Sequence, residues 1–364
     1  MKVMHLLPSL QSGGVEQVVL ELCQGLCARG VETVVVSEGG PMVEAVEAAG
    51  ARHITLPIGR KSLLTFRMVP RMAGLIRRER PDVLHLHSRV PAWVGLLAAK
   101  LVDKADRPRV VTTFHGFHSV NFYSGVMAKG DRVIAVSECM KRHILENYPS
   151  TPEEKVFVVP NSVDTTQNYA GYKPTPEWWE KWRADFPELQ GKYTLCLPGR
   201  ITRIKGAAHL IPLLQTLRAN GIPAHAVIVG ETKKGKEAYR AELQHAFEIA
   251  GLADAVTWTG HRRDLRDVLC ACDVTLSLTL IPESFGKTTL DALALGRPVA
   301  GYEHGGVGEQ LDVFLPQGKV PAGDTAAMAA LLTEWYGHAP APLSPVPAPY
   351  RREDMLDGHL RIYN

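Results

Sequence analysis

Glu283 and Asp291 stand seven residues apart in the stretch 281–299, which follows an apolar run at 274–280. The run reads as a buried strand, and Leu290, Leu293 and Ala294 read as a helix stopped by Gly296 and Pro298. Glu283 then lies in the strand-to-helix loop and Asp291 inside the helix. Phe285 and Gly286 place backbone N–H groups at the helix start, where the dipole favours anions. Two carboxylates accept from hydroxyls, and a helix start holds phosphate. The pattern suits a ligand with hydroxyls at both ends and phosphate between them, such as a nucleotide sugar. An ordinary βα unit with a capped helix carries the same pattern.

A second set of residues has the opposite charge. The strand pattern 193–197 runs into Pro198-Gly199-Arg200-Ile201-Thr202-Arg203-Ile204-Lys205-Gly206, ahead of a helix expected at 208–220. G-x-x-x-x-G-K-[ST] is absent, so this is not a P-loop. Arg200 and Lys205 at a strand end beside a helix start could still hold a diphosphate. Gly230-Glu231 is another strand-end turn. In the first half, the strand 110–114 runs into His115-Gly116, where a ligand site beyond the carboxyl ends of a parallel sheet is expected. Gly13-Gly14 closes the first strand-to-helix loop and lets a ligand approach the backbone. It is not the dinucleotide fingerprint G-x-G-x-x-G, and a plain tight turn is its other reading. His85 and His87 alternate on one strand and point to one side of it. They could hold a metal, but no third ligand is visible, so structural or cleft-lining roles are favoured.

The elements that must position these groups follow from hydrophobic periodicity. Strands at 2–7 and 31–37 flank a helix carrying Val15, Val18, Val19, Leu22 and Leu26. That βαβ start implies a parallel, doubly wound α/β sheet. A helix is expected at 62–80, kinked or split by Pro70. It bears Arg60, Lys61, Arg67, Arg71, Arg77, Arg78 and Arg80 beside Leu63, Leu64 and Phe66. Such a face can rest on an anionic membrane surface or be simply solvated. Trp178, Trp179 and Trp182 share one short helix, as an acceptor platform or as packing. The Gly305-Gly306-Val307-Gly308 segment reads as a flexible loop at a helix start.

The 364 residues suffice for two domains, and an apolar share of 45% with 22% charged residues is that of a soluble globular chain. A formal charge of +3 argues for no nucleic-acid partner. No apolar run approaches the ~20 residues of a membrane span. The first residues enter a strand pattern with no signal-peptide layout, so a cytoplasmic protein is expected. The six cysteines lack zinc-ligand spacing and read as buried reduced thiols. A first domain is expected at 1–165 and a second at 166–338. The Pro/Ala-rich stretch 339–349 would be a connection returning the segment 350–364 to the first domain.

The ordered set of motifs then carries a resemblance. Gly13-Gly14-Val15-Glu16, Phe114-His115-Gly116 and Pro160-Asn161-Ser162-Val163-Asp164 come first. Gly199-Arg200 with Lys205-Gly206, Pro282 to Gly286 with Asp291, and Gly305-Gly306 with Glu309 follow. In this order the chain resembles the family 4 retaining glycosyltransferases over nearly its whole length. The resemblance implies a GT-B fold, two Rossmann-like domains facing across a cleft. It implies that Arg200 and Lys205 neutralise the departing diphosphate and that Glu283 contacts the donor sugar. His115 would sit at the reaction centre and Gly14 near the phosphates and acceptor, with Asp291 on the ribose hydroxyls. Gly199, Gly230, Ser284, Phe285, Gly286, Lys287 and Thr288 complete the expected donor-binding set. Asp291 stands where the family usually has Glu and is one methylene shorter. Asn161-Ser162 replaces the commoner Asn-Gly.

The implied activity is transfer of a sugar from a nucleotide-sugar donor, with UDP the expected nucleotide, to a glycan or glycolipid acceptor. Lipopolysaccharide or another bacterial envelope glycan is the expected acceptor class, at the inner face of the cytoplasmic membrane. Fixed cations and helix-end N–H groups would stabilise the leaving diphosphate in a closed site. No Asp-x-Asp motif is present, and neither a metal nor any other cofactor is expected. A sugar-nucleotide epimerase or hydrolase of the same architecture, or a silent nucleotide-sugar-binding scaffold, are the rival readings.

Overall fold

Short runs of β-branched and apolar residues alternate with helical patterns along this chain, and each such run becomes a parallel strand. The computed structural model describes residues 1–11, 13–232, 235 and 237–364. They divide into two compact units, Met1–Ser162 with Ala348–Asn364, and Val163–Pro347.

The first unit is built on β1 (Lys2–Leu6), β2 (Glu32–Ser37), β3 (Arg52–Thr55), β4 (Val83–Leu86), β5 (Arg109–Phe114), β6 (Arg132–Ala135) and β7 (Val156–Val158). They form one sheet in the order β3-β2-β1-β4-β5-β6-β7, with every pairing parallel. Val34, Val35 and Val36 are consecutive and all fully buried, because helices cover both faces of the sheet. One face packs against helix Met68–Glu79 and helix Arg89–Lys100. The other packs against helix Gly14–Ala28 and the C-terminal helix Arg352–Tyr363, whose Met355, Leu356, Ile362 and Tyr363 enter that core. Gly25 makes this approach workable, since a methyl group there would run into Leu356.

The second unit carries β8 (Tyr193–Pro198), β9 (Ala224–Val229), β10 (Val256–Gly260), β11 (Val274–Ser277), β12 (Val299–Tyr302) and β13 (Lys319–Val320). Their order is β10-β9-β8-β11-β12-β13, again parallel throughout. Each sheet reverses its winding once, between β1 and β4 in the first unit and between β8 and β11 in the second. Such a switch leaves a crevice beyond the carboxyl ends of the two strands, the usual ligand position in open α/β sheets.

Four local expectations need correction. The helix expected at 62–80 is a 3-10 turn, Leu63–Arg67, followed by an α-helix, Met68–Glu79. Pro70 does not kink it, because it lies in the first turn, where its missing N–H would have no intrahelical acceptor. The strand expected at 274–280 ends at Ser277. The glycine-rich segment at 305–308 is the start of the helix Gly305–Phe314 rather than a flexible loop. The helix expected at 208–220 is split into Ala207–His209 and Leu210–Ala219. The six cysteines are free thiols, three buried and three partly buried.

Candidate functional site

The exits of β8 and β11 in the second unit are held together by backbone contacts that only glycine permits. Gly199 follows β8 with φ at +139° and donates its N–H to the Val229 carbonyl at 2.8 Å. Gly230 has φ at +145°, and a methyl group there would collide with the Gly199 carbonyl. Both conformations lie where L side chains are strained. Gly206, at φ +71°, closes the turn Arg203–Lys205 against the Leu278 carbonyl, again leaving no room for a Cβ. Leu280 N–H then bonds the Ile204 carbonyl at 2.8 Å. The β8 turn and the β11 loop are thereby fastened to each other.

This fastening brings Lys205 Nζ onto Glu283 Oε1, an ion pair between side chains 28% and 21% exposed. The same carboxylate oxygen accepts from Thr279 Oγ1 at 2.5 Å. A pair this accessible contributes about 1 kcal/mol or less to folding. Its importance is positional. The Glu283 backbone is held as well, its carbonyl accepting from Gly306 N–H at 2.8 Å. Gly305 lies so close to it that a side chain could not be inserted. Next along the loop, Phe285 is buried and its carbonyl accepts from Gln310 Nε2 at 2.7 Å. His304 Nε2 reaches the Thr279 carbonyl at 2.7 Å.

Gly286, left-handed at φ +89°, is the N-cap of the helix Lys287–Ala294. That helix starts shortly after Glu283 in sequence and carries Asp291 one turn in. Lys287 Nζ lies 2.5 Å from Asp291 Oδ1, an i,i+4 pair whose side chains are part-buried. Thr288 and Ser284 are also part-buried, and Arg200 is exposed. The unit therefore gathers two ammonium groups, two carboxylates and a helix start around glycine-lined strand exits. Cation and N–H groups suit phosphate, and carboxylates suit hydroxyls.

In the first unit, taken by itself, His115 stands at the exit of β5 and Gly14 is the first residue of the helix Gly14–Ala28. Ser12, in the same glycine loop, lies outside the described residues. His115 Nε2 is 3.0 Å from His87 Nδ1, and His87 Nε2 is 3.0 Å from His5 Nδ1. His85 hydrogen-bonds Tyr363 OH at 2.8 Å and Thr113 Oγ1 at 2.7 Å. Burial, with smaller repulsion from His359 and His118, drives the His115 imidazole down to about 3. Burial likewise takes His5 to about 3, and His85 and His87 fall well below the ordinary value of 6.5. All four are neutral imidazoles near pH 7.

The structure thus brings Gly199, Gly230, Lys205, Glu283, Ser284, Phe285 and Gly286 together in the second unit, with Lys287, Thr288 and Asp291 on the adjoining helix. His115 and Gly14 belong to the first. Sequence reasoning missed Thr279, His304 and Gln310, which position the Glu283 loop. The apolar context of Thr279 and the spacing of Gln310 on the Gly305 helix offered no signal. It also missed His5 as the third member of a His5, His85, His87 group, whose ligand atoms lie within 4.8 Å of one another. That signal existed, because His5 on β1 is in register with His85 on β4. The Trp178–Trp182 stack, at 5.1 Å between rings, packs inside the second unit, where Trp178 Nε1 donates to Asp264 at 2.7 Å.

Residues 12–167 match the family model of Glycosyltransferase Family 4, and residues 179–338 match that of Glycosyl transferases group 1. The 2-deoxystreptamine N-acetyl-D-glucosaminyltransferase of Streptomyces fradiae is 27% identical over 353 residues, covering 87% of this chain and 80% of that one. Among solved structures, a glycosyltransferase from Rickettsia africae ESF-5 superimposes with a TM-score of 0.85 at 23% identity, covering 100% of this chain and 97% of that one. HepE of Anabaena in complex with UDP-glucose does so with 0.76 at 19% identity, covering 100% and 94%. The fold shared with these structures is GT-B, with two Rossmann-like domains.

Proposed function

This chain belongs to the family 4 glycosyltransferases of GT-B fold, and from that premise we propose that it transfers a sugar from a nucleoside-diphosphate donor, UDP foremost, with retention of configuration. The observation that carries this reading is the Lys205–Glu283 pair at the β8/β11 switch point, beside a helix start. Breaking the bond between the sugar C1 and the diphosphate oxygen leaves negative charge on the diphosphate and positive character on the sugar. Lys205 and Arg200 stabilise the first, together with the N–H groups after Gly286. Glu283 accepts from a sugar hydroxyl, and Asp291 from the ribose. The acceptor hydroxyl attacks from the face the diphosphate leaves, and its proton passes to the departing phosphate oxygen. His115 and Gly14 take part on the sugar and acceptor side. HepE, crystallised with UDP-glucose, supports the choice of nucleotide.

The acceptor is a membrane-linked glycan of the bacterial envelope, lipopolysaccharide included. Among the described residues no helix is long and apolar enough to cross a membrane. Peripheral contact has a candidate surface. Leu63, Leu64 and Phe66 are 85%, 62% and 41% exposed, next to Arg60, Lys61, Arg67 and Arg71. A groove of about 680 Å³ beside them is lined by Leu63, Phe66, Trp93, Leu97 and Phe122 under a basic rim. Apolar side chains framed by cations suit an anionic lipid surface. A soluble aminocyclitol acceptor is the second reading, favoured by the likeness to the Streptomyces fradiae enzyme.

The test is a panel of nucleotide sugars offered with lipid-linked and aminocyclitol acceptors, with the product's anomeric configuration read by NMR. The expected result is consumption of a UDP-sugar only when an acceptor is present, and a product that keeps the donor's configuration. Nucleotide release independent of acceptor, or no turnover with any pair, would contradict the proposal.

A further inference from the structure

Three imidazoles of the first unit, buried at His5 and His87 and part-buried at His115, form a chain. His5 Nδ1 faces His87 Nε2 and His87 Nδ1 faces His115 Nε2, each at 3.0 Å. Those are ordinary N–H···N distances, so each link holds one proton shared by two nitrogens. In a neutral chain the links are not independent. A proton on His5 Nδ1 makes His87 Nε2 an acceptor, which puts the His87 proton on Nδ1 and makes His115 Nε2 an acceptor in turn. The reverse order places a proton on His115 Nε2, on His87 Nε2 and on His5 Nε2.

The far end decides between them. His5 Nε2 is fully buried and has no hydrogen-bond partner among the described residues. In the reverse order this atom carries an N–H, and orphaned buried donors are rarer than under-satisfied acceptors. In the forward order it is only a bare lone pair. His85 stays outside the chain, with its two nitrogens held by Tyr363 OH and Thr113 Oγ1. A metal at His5, His85 and His87 would have to displace these bonds and those within the chain, so the group reads as a hydrogen-bonded relay and not as a ligand set.

We propose that His87, oriented by His5, is a positioning residue that fixes the tautomer of His115, with Nε2 bare and the proton on Nδ1, so that His115 acts toward its ligand as a hydrogen-bond donor and not as a base. The assignment of a ligand to His115 rests on the glycosyltransferase reading. The tautomer itself does not. A donor at this place suits the lone pair of a neutral sugar hydroxyl, and it fits a mechanism in which the departing phosphate takes the acceptor's proton.

Imidazole ¹⁵N NMR of histidine-labelled protein at neutral pH tests the assignment, with the His115 signals identified from their loss in His115→Gln. The wild type should show a pyridine-like Nε2 and a pyrrole-like Nδ1 for His115. His87→Asn places an amide N–H where Nδ1 was and should preserve that pattern. His87→Phe should populate both tautomers and lower kcat on the order of tenfold or more, with the donor KM within about twofold. His87→Asn should recover most of the lost kcat. A wild-type His115 protonated on Nε2 overturns the proposal, as does an unchanged His115 spectrum in His87→Phe, or one equivalent of zinc bound by the wild type and released by that substitution. Should the Phe variant not fold, the wild-type spectrum alone decides. An absence of transfer with every donor would sink the functional reading and leave the tautomer result standing.

Discussion

Lys205 and Glu283, 78 residues apart in sequence, share an ion pair where two neighbouring parallel strands of the second unit end. Gly206, with positive φ, brings the two loops close enough for it, while Gly199 and Gly230, also with positive φ, fasten the neighbouring strand exits to each other. The pair is part-exposed and adds little to folding. Its removal should therefore be read in catalysis and hardly at all in stability.

Lys205→Ala should lower turnover on the order of tenfold to a thousandfold, through loss of charge stabilisation on the leaving diphosphate. Glu283→Ala should fall in the same range, and both variants should melt within a few degrees of the wild type. Steady-state rates beside thermal unfolding separate the two effects. Near-normal rates in both variants would remove these residues from the site.

Asp291 is held by Lys287 at 2.5 Å and is proposed to accept from the ribose hydroxyls. Asp291→Asn removes a charged acceptor and should raise the donor KM on the order of tenfold, with kcat less affected. Asp291→Glu adds the methylene that the family's usual residue has and should lower that KM. Kinetics at varied donor concentration check both. An Asn variant with an unaltered KM would take the ribose role away from Asp291.

The buried histidines make the fold acid-sensitive in a defined window. His5 and His115 have folded values depressed by burial to about 3, against 6.5 ordinarily. Below pH 6.5 the unfolded chain takes up protons that the folded one refuses. Stability is thus complete above about 6.5 and falls as the pH drops toward 3, by about 1.4 kcal/mol per pH unit for each such histidine. Denaturant unfolding at pH 7, 6 and 5 should show the decline before ordinary carboxylates titrate. A flat stability across that range would contradict the neutral buried cluster.

Much of this was legible in the chain. Strand runs such as 31–37 and 226–229 are rich in valine and isoleucine, and the glycine punctuation at 199 and 230 marks strand exits while that at 206 and 286 marks the turn and the helix start. The motif order carried the family and the fold. What stayed hidden depends on pairing across the sheet. His5 looks like one polar residue in an apolar strand until β1 is laid beside β4, which sets it against His85 and near His87. Thr279 and Gln310 read as a strand-end threonine and a helix polar residue, yet they hold the Glu283–Phe285 loop. The glycines at 305 and 306 suggested mobility, whereas their use is to let a helix start touch that loop.

The central claim is that the Lys205-bearing crevice of the second unit holds a diphosphate. Isothermal titration with UDP and with uridine, on the wild type and on Lys205→Ala, tests it most directly. UDP should bind the wild type far more tightly than uridine does, and Lys205→Ala should lose most of that advantage while uridine binding stays unchanged. Equal affinity for UDP and uridine, or a UDP affinity untouched by the substitution, would contradict the account.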